Sequence, residues 1–320
     1  MSPEKKYLAR TFFRLKIHES NGAAFERLFA QIMQYSRSAF VKIKPYGDQG
    51  DRGNDGYEKT EGRYFQMFAP EDPTTSKQKA IEKAEGDFED KLLPYWGSFC
   101  EIKEYYFVFN DKYLGTNFPI EQTLAALKLK HKLTVADTYL AKHLEQEFIE
   151  LQEDQILTVI GGLPDPDSLE GLDYSVLSEV IKYIQDTPPD VVKEGTLVVP
   201  DIDDKIQFNG LKQSGYWLKA KQQETWQIDE YFARNSEFAK DTLRNYLAGY
   251  YADSLKKFPE NKNQINDDLG DLRFAAIVKK IAPDCGIPKN DRLRRDIAFI
   301  IMAKYFETCD IFKEPKNVIA

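Results

Sequence analysis

Apolar residues recur at helical spacing in GAAFERLFAQIMQYS (22–36). Phe25, Leu28, Phe29, Ile32 and Met33 share one face there, and Ser20 or Asn21 stands where a cap is needed. The pattern then shortens to a β-like run, AFVKIKPYG (39–47), closed by a proline and a glycine. A glycine- and acid-rich stretch follows, and DGYEKTEGRYFQMFAP then predicts a hairpin. It has a short strand at 55–59, a turn at Thr60-Glu61-Gly62 and a strand from Arg63 to Phe68, ended by Pro70 and Pro73. The spacing predicts a charged amphipathic helix over 75–93, a strand over 101–111 (EIKEYYFVFND), a helix over 119–132, and one long or two joined helices over 134–161.

GGLPDPDSLEGLD (161–173) reads as a linker because Gly, Pro and Asp interrupt both periods. Beyond it lie one more helix, YSVLSEVIKYIQD, a short strand or extended tether in GTLVVP (195–200), and helical text from Asp204 onward. The chain ends on the apolar helical stretch RLRRDIAFIIMAKYFETCDIF, and no internal repeat or low-complexity tract interrupts it. The expected organisation is an α/β domain over 1–160, a linker over 161–175 and a mainly α-helical domain over 176–320.

Composition narrows the chemistry. The chain has 320 residues with 42% hydrophobic and 13% aromatic content, enough for a sizeable core. Its longest late apolar run, IAFIIMA (298–304), is too short to cross a bilayer, and its first residues contain no apolar stretch of leader length. The cytoplasm is the expected compartment, with no membrane partner. Cys100, Cys285 and Cys309 stand far apart without a CxxC, as reduced thiols do. Net charge is −8, so nucleic acid would be gripped in a local groove or with help from a partner. Three histidines, none in a metal-like pair, argue against a His-rich zinc hydrolase and a Ser-His-Asp triad. The absence of a GxxxxGKS loop argues against ATP hydrolysis by this chain.

GDQGDRGNDGYEKTEGRYFQMF (47–68) holds the candidate chemistry. Facing residues of a hairpin lie about 5 Å apart, so Asp55 and Gln66 are candidates to share a site. Glu26, bordering the apolar face of the 22–36 helix, can point at the same spot if that helix packs on the sheet. A carboxylate from a helix, a carboxylate from a strand and an amide oxygen form a hard oxygen set suited to Mg²⁺ or Mn²⁺. The competing reading is a solvated loop whose glycines and acids shape a turn. Asp48 and Asp51 fit that reading better than the metal one. Glu71 and Asp72 read as helix-capping acids, Asn110-Asp111 as a turn, and Cys309 as a core cysteine.

The spacing G-D-x-G-D-x-G-x-D-G followed by a strand bearing Gln66 resembles the Mrr-like branch of the PD-(D/E)xK restriction-endonuclease superfamily over roughly residues 20–135. The resemblance implies a restriction-endonuclease-like α/β domain, with Asp55 as metal ligand, Gln66 as the second strand ligand and Glu26 as the first-helix acid. It departs at Phe68, where the motif carries a lysine. A phenylalanine cannot orient an attacking water or stabilise negative charge. Lys42, Lys44, Arg63, Lys77 and Lys79 are the nearby cations that could replace it. GDRGNDGY with GRYFQMFAPED also resembles the N-terminal nuclease-like domains of bacterial conflict systems, and KIQFNGL (205–211) with AFIIMAKYFETCDIF (298–312) resembles C-terminal regions of ABC three-component defence proteins, of which Lamassu is the best-known relative. That resemblance implies a nuclease-type effector acting on double-stranded DNA, held by an SMC-like ABC ATPase and a small middle subunit; a homo-oligomer is left open. The alternative is a catalytically inactive nuclease-like scaffold or DNA-binding subunit docked on the ATPase.

Overall fold

In a computed structural model the structure describes residues 1–47, 50–164, 172–190, 201–235, 237–260, 268–308 and 311–315. Asp48, residues 165–171 of the expected linker, the 195–200 stretch, Cys309 and Asp310 lie outside them. The chain divides into two compact units, Lys16–Val159 and a second that joins Met1–Leu15 to the chain from Ile160 onward. Residues 1–15, expected with the α/β domain, thus count with the helical one.

The Lys16–Val159 unit is mixed α/β. Its elements are the end of α1 (Pro3–Glu19), α2 (Gly22–Ser36), β1 (Phe40–Lys42), β2 (Gly56–Glu58), β3 (Arg63–Phe68), α3 (Lys77–Gly86), a π-helical segment (Asp87–Leu92), α4 (Leu93–Trp96), β4 (Glu104–Phe109), α5 (Phe118–His131), β5 (Val135–Leu140), α6 (Ala141–Ile149) and α7 (Glu153–Ile160). The five strands form one sheet in the order β1-β2-β3-β4-β5. The first three are antiparallel, and β3, β4 and β5 run parallel.

Successive strand residues face opposite sides, and β3 shows the consequence. Phe65 meets Phe29 of α2 with ring centroids 5.6 Å apart, beside Phe40 and Tyr139. Tyr64 faces the other way, into a core with Ala80, Ala84, Phe88, Tyr105 and Leu124. β3 and β4 are largely buried on both faces because helices cover both, as parallel strands require.

Two expected elements are corrected. Residues 135–140, taken as helix, form β5, whose register pairs Val135 with Glu104 and Leu140 with Phe109. The 75–93 helix is interrupted, because the π-helical segment carries six residues between α3 and α4. The opening residues, read only as polar, form α1, which buries Leu8, Phe12, Phe13 and Leu15.

The second unit is mostly helical: α8 (Tyr174–Asp186), α9 (Ile202–Phe208), α10 (Ser214–Gln222), α11 (Trp226–Arg234), α12 (Glu237–Lys257), α13 (Leu269–Ile281) and α14 (Pro288–Thr308). Its core centres on α14, whose Phe299 lies 6.0 Å from Trp217 and 5.1 Å from Phe274 between ring centroids. Arg295, 1% exposed, donates to the carbonyl oxygens of Ile160 and Gly162, pairs with Asp284 and lies 4.3 Å from the Phe12 ring centroid. Among the described residues no helix is long and apolar enough to cross a membrane.

Candidate functional site

Asp55 immediately precedes β2 and is held by three contacts across the sheet. Its amide donates to the Phe65 carbonyl, its carbonyl accepts from Ile43, and its Oδ2 accepts from the Met67 amide at 2.6 Å. The loop leading to it turns on left-handed residues, Gly50 (φ 65°), Arg52 (φ 59°) and Gly53 (φ 75°). Gly53 admits no side chain, because a Cβ there would come within 2.6 Å of the Asp87 carbonyl in the π-helical segment. Asp51 closes the turn by accepting the Gly53 amide at 2.8 Å, and the Trp96 indole donates to the Asp51 carbonyl at 3.1 Å. The glycine-acid stretch is therefore a seated loop.

Glu26, Lys42, Lys44, Asp51, Asp55 and Met67 line one cavity of about 450 Å³. Burial pushes the Asp55 carboxyl up to about 7; Asp51 and Glu26 push it the same way, while the Met67 amide and Lys83 oppose them. So two of the three expected site residues, Glu26 and Asp55, reach one cavity, and Asp51, read as a turn-shaping acid, joins them there. Gln66 does not line it. Gln66 is 2% exposed on the pleat face shared with Tyr64 and Phe68, and its Oε1 has no hydrogen-bond partner among the described residues. Among the described residues no set of three or more His, Cys, Asp or Glu side chains forms a ready-made metal cage.

Phe68 stacks against Phe107 and Phe109, with ring centroids 6.2 and 6.0 Å away. Of the replacement cations, Arg63 is paired with Glu58 and Glu104. Lys77 and Lys79 are exposed on α3 and do not line the cavity. Lys42 and Lys44 do line it. Asp111 opens a turn as expected, its carbonyl accepting from Leu114, and its side chain also ties elements together: Oδ1 accepts the Ala141 amide at the start of α6, and Oδ2 accepts from Gly115.

A second cavity, of about 440 Å³, opens beside β5 and is lined by Tyr106, Asp137, Tyr139, His143 and Glu147. His143 accepts the Leu140 amide at Nδ1, burial lowers its pKa, and Glu147 is paired with Arg37. Reading β5 as helix hid this cavity from the sequence.

Fold and site thus define a mixed α/β unit with a carboxylate-lysine cavity, carried on the same chain as a helical unit. Residues 175–313 match the family model described as C-terminal domain 10 of the ABC-three component (ABC-3C) systems. The match covers most of the helical unit, including both C-terminal stretches that carried the ABC three-component resemblance, and leaves the α/β unit outside it. No curated protein and no solved structure matches the chain.

Proposed function

We propose that the α/β unit is a metal-dependent endodeoxyribonuclease that hydrolyses phosphodiesters in double-stranded DNA, carried in an anti-phage ABC-3C complex by the helical unit. The observation that carries this reading is the convergence of Glu26, Asp51 and Asp55 with Lys42 and Lys44 on one cavity. The order α2-β1-β2-β3-α3-β4 supports it, being the order the nuclease resemblance implies. The match over 175–313 supports the assembly role, with an SMC-like ABC ATPase and a small middle subunit as the partners the resemblance implies.

The carboxylates fit Mg²⁺ or Mn²⁺ in kind, being hard oxygen donors whose mutual repulsion at Asp55 a cation would relieve. Asp55 and Glu26 would hold the ion. When bound, such an ion polarises a phosphate oxygen and lowers the pKa of a water. Lys42 and Lys44 supply the positive charge that Phe68 cannot, bordering the cavity where a phosphate enters. Asp55 binds a cation only after losing its proton.

The test is cleavage of linear and circular double-stranded DNA with Mg²⁺, Mn²⁺ or EDTA, by wild type and Asp55→Ala, each alone and with the ABC-3C partner subunits. Metal-dependent cutting that the substitution abolishes is the expected result; an unchanged rate sinks the reading.

Phe68 and Gln66 favour a second reading. One is stacked among aromatic rings and the other is buried off the cavity, as in a nuclease-derived scaffold that binds DNA or docks on the ATPase without cutting. That reading expects no divalent-cation affinity at Asp55 and no cutting in any combination.

A further inference from the structure

Beside the carboxylate cavity the protein leaves two aromatic rings half exposed, each with a cation laid over it. Tyr95 at the end of α4 is 49% exposed, and Phe99, three residues past α4, is 56% exposed. The Arg52 guanidinium lies 4.0 Å from the Tyr95 ring centroid, and the Lys59 ammonium 4.6 Å from that of Phe99. Between them Trp96 meets Phe99 edge-on at 6.0 Å and Tyr57 at 5.3 Å, and its indole hydrogen bond to Asp51 joins this ridge to the loop that lines the cavity.

Two features mark the ridge as more than incidental surface. Arg52 sits over Tyr95 from a left-handed backbone conformation (φ 59°), which a non-glycine residue adopts at a cost. The acid whose carbonyl faces Gly53, next to Arg52, is Asp87, and it is paired with Lys83 and Lys91, each at 2.6 Å. Exposed rings alternating with cations suit a polyanion with flat faces: bases stack on rings while phosphates meet guanidinium and ammonium groups. A fully paired duplex hides its base faces and can use only the cations.

We propose that Tyr95, Trp96 and Phe99, with Arg52 and Lys59, form a stacking platform that receives unpaired nucleotides and leads them toward the Asp55 cavity. On this view the preferred nucleic acid carries a single-stranded segment, such as a frayed end, a tail or a gap. The proposal rests on the reading that the α/β unit acts on nucleic acid, but not on its cutting.

The test is fluorescence anisotropy of the full chain in EDTA, titrated against labelled oligothymidylate and against a blunt duplex of equal length. The expected result is tighter binding of the single strand, weakened about tenfold per ring by Tyr95→Ala and Phe99→Ala, with duplex affinity unchanged. Tyr95→Trp, which keeps a ring, retains single-strand affinity and separates stacking from any loss of folding, itself checked by thermal melting. Equal affinities, loss of binding that Tyr95→Trp shares, or no binding to either probe would overturn the proposal. A chain that binds the single strand through these rings yet never cuts DNA overturns the nuclease reading alone.

Discussion

Asp55 accepts the backbone N–H of Met67 at 2.6 Å, and this contact ties the residue before β2 to the C-terminal end of β3. A hydrogen bond of this kind favours the ionised acid, yet burial and the charges of Asp51 and Glu26 outweigh it, and the carboxyl titrates near 7. The native state therefore keeps a proton that the unfolded chain releases near 3.8. Between those values the native state binds more protons, so this group's contribution to stability is complete below about pH 4. It is lost as pH rises toward 7, by about 4 kcal/mol at most. Asp55→Asn keeps an acceptor for Met67 and removes the titration. Urea unfolding at pH 5 and at pH 8 is expected to show wild type losing stability relative to the variant; parallel behaviour of the two proteins refutes the assignment.

The same proton competes with a cation. Mn²⁺ or Mg²⁺ affinity is expected to rise up to about tenfold per pH unit below 7 and to level off above it. Titration calorimetry across that window checks this, and an affinity indifferent to pH removes Asp55 from the ligand set.

Restoring the motif lysine is not expected to restore a motif. Phe68→Lys places an ammonium group against Phe107 and Phe109. It should cost on the order of 1–3 kcal/mol in stability with no gain in cleavage. Lys42→Ala combined with Lys44→Ala removes exposed side chains. It should leave stability within about 0.5 kcal/mol while lowering cleavage on the order of a hundredfold. Denaturant curves and cleavage rates on the same preparations separate the two effects, and a faster Phe68→Lys enzyme would return the catalytic charge to β3.

Gly53→Ala tests the seat of the loop. The residue is left-handed and its Cβ would meet the Asp87 carbonyl at 2.6 Å. A cost of at least about 1–2 kcal/mol is expected from the backbone conformation alone, more with the clash, and cation affinity should fall with it. A neutral substitution would show that the loop can lift off the π-helical segment.

The parts of the fold that carry their own periodicity were readable. GAAFERLFAQIMQYS forms α2 over the full 22–36, and RYFQMF forms β3 where alternation and the Thr60-Glu61-Gly62 turn put it. Residues 135–140 were not readable, because their strand state depends on pairing with β4 over a long sequence separation. The π-helical segment was hidden for a related reason: one widened turn leaves the helical pattern nearly intact while shifting which carbonyl meets Gly53. Glu26 and Asp55 could be brought to one place from spacing and packing alone. Asp51 could not, since its position depends on the Trp96 hydrogen bond, which no local pattern announces. Gln66 stands on β3 where the strand pattern put it, buried and on the other face of the pleat from Met67, a placement that alternation alone fixes.

The helix α1 begins in one compact unit and ends in the other. During synthesis residues 1–15 leave the ribosome long before Ile160 and Arg295 exist to receive them. Phe12, which lies 4.3 Å from the Arg295 guanidinium, waits for that contact until nearly the whole chain has been made. The helical unit is thus completed last from the two ends of the chain, and a nascent α/β unit exists for a time without the helical unit that follows it. For a protein proposed to cut DNA, that interval is when restraint by partners is least available.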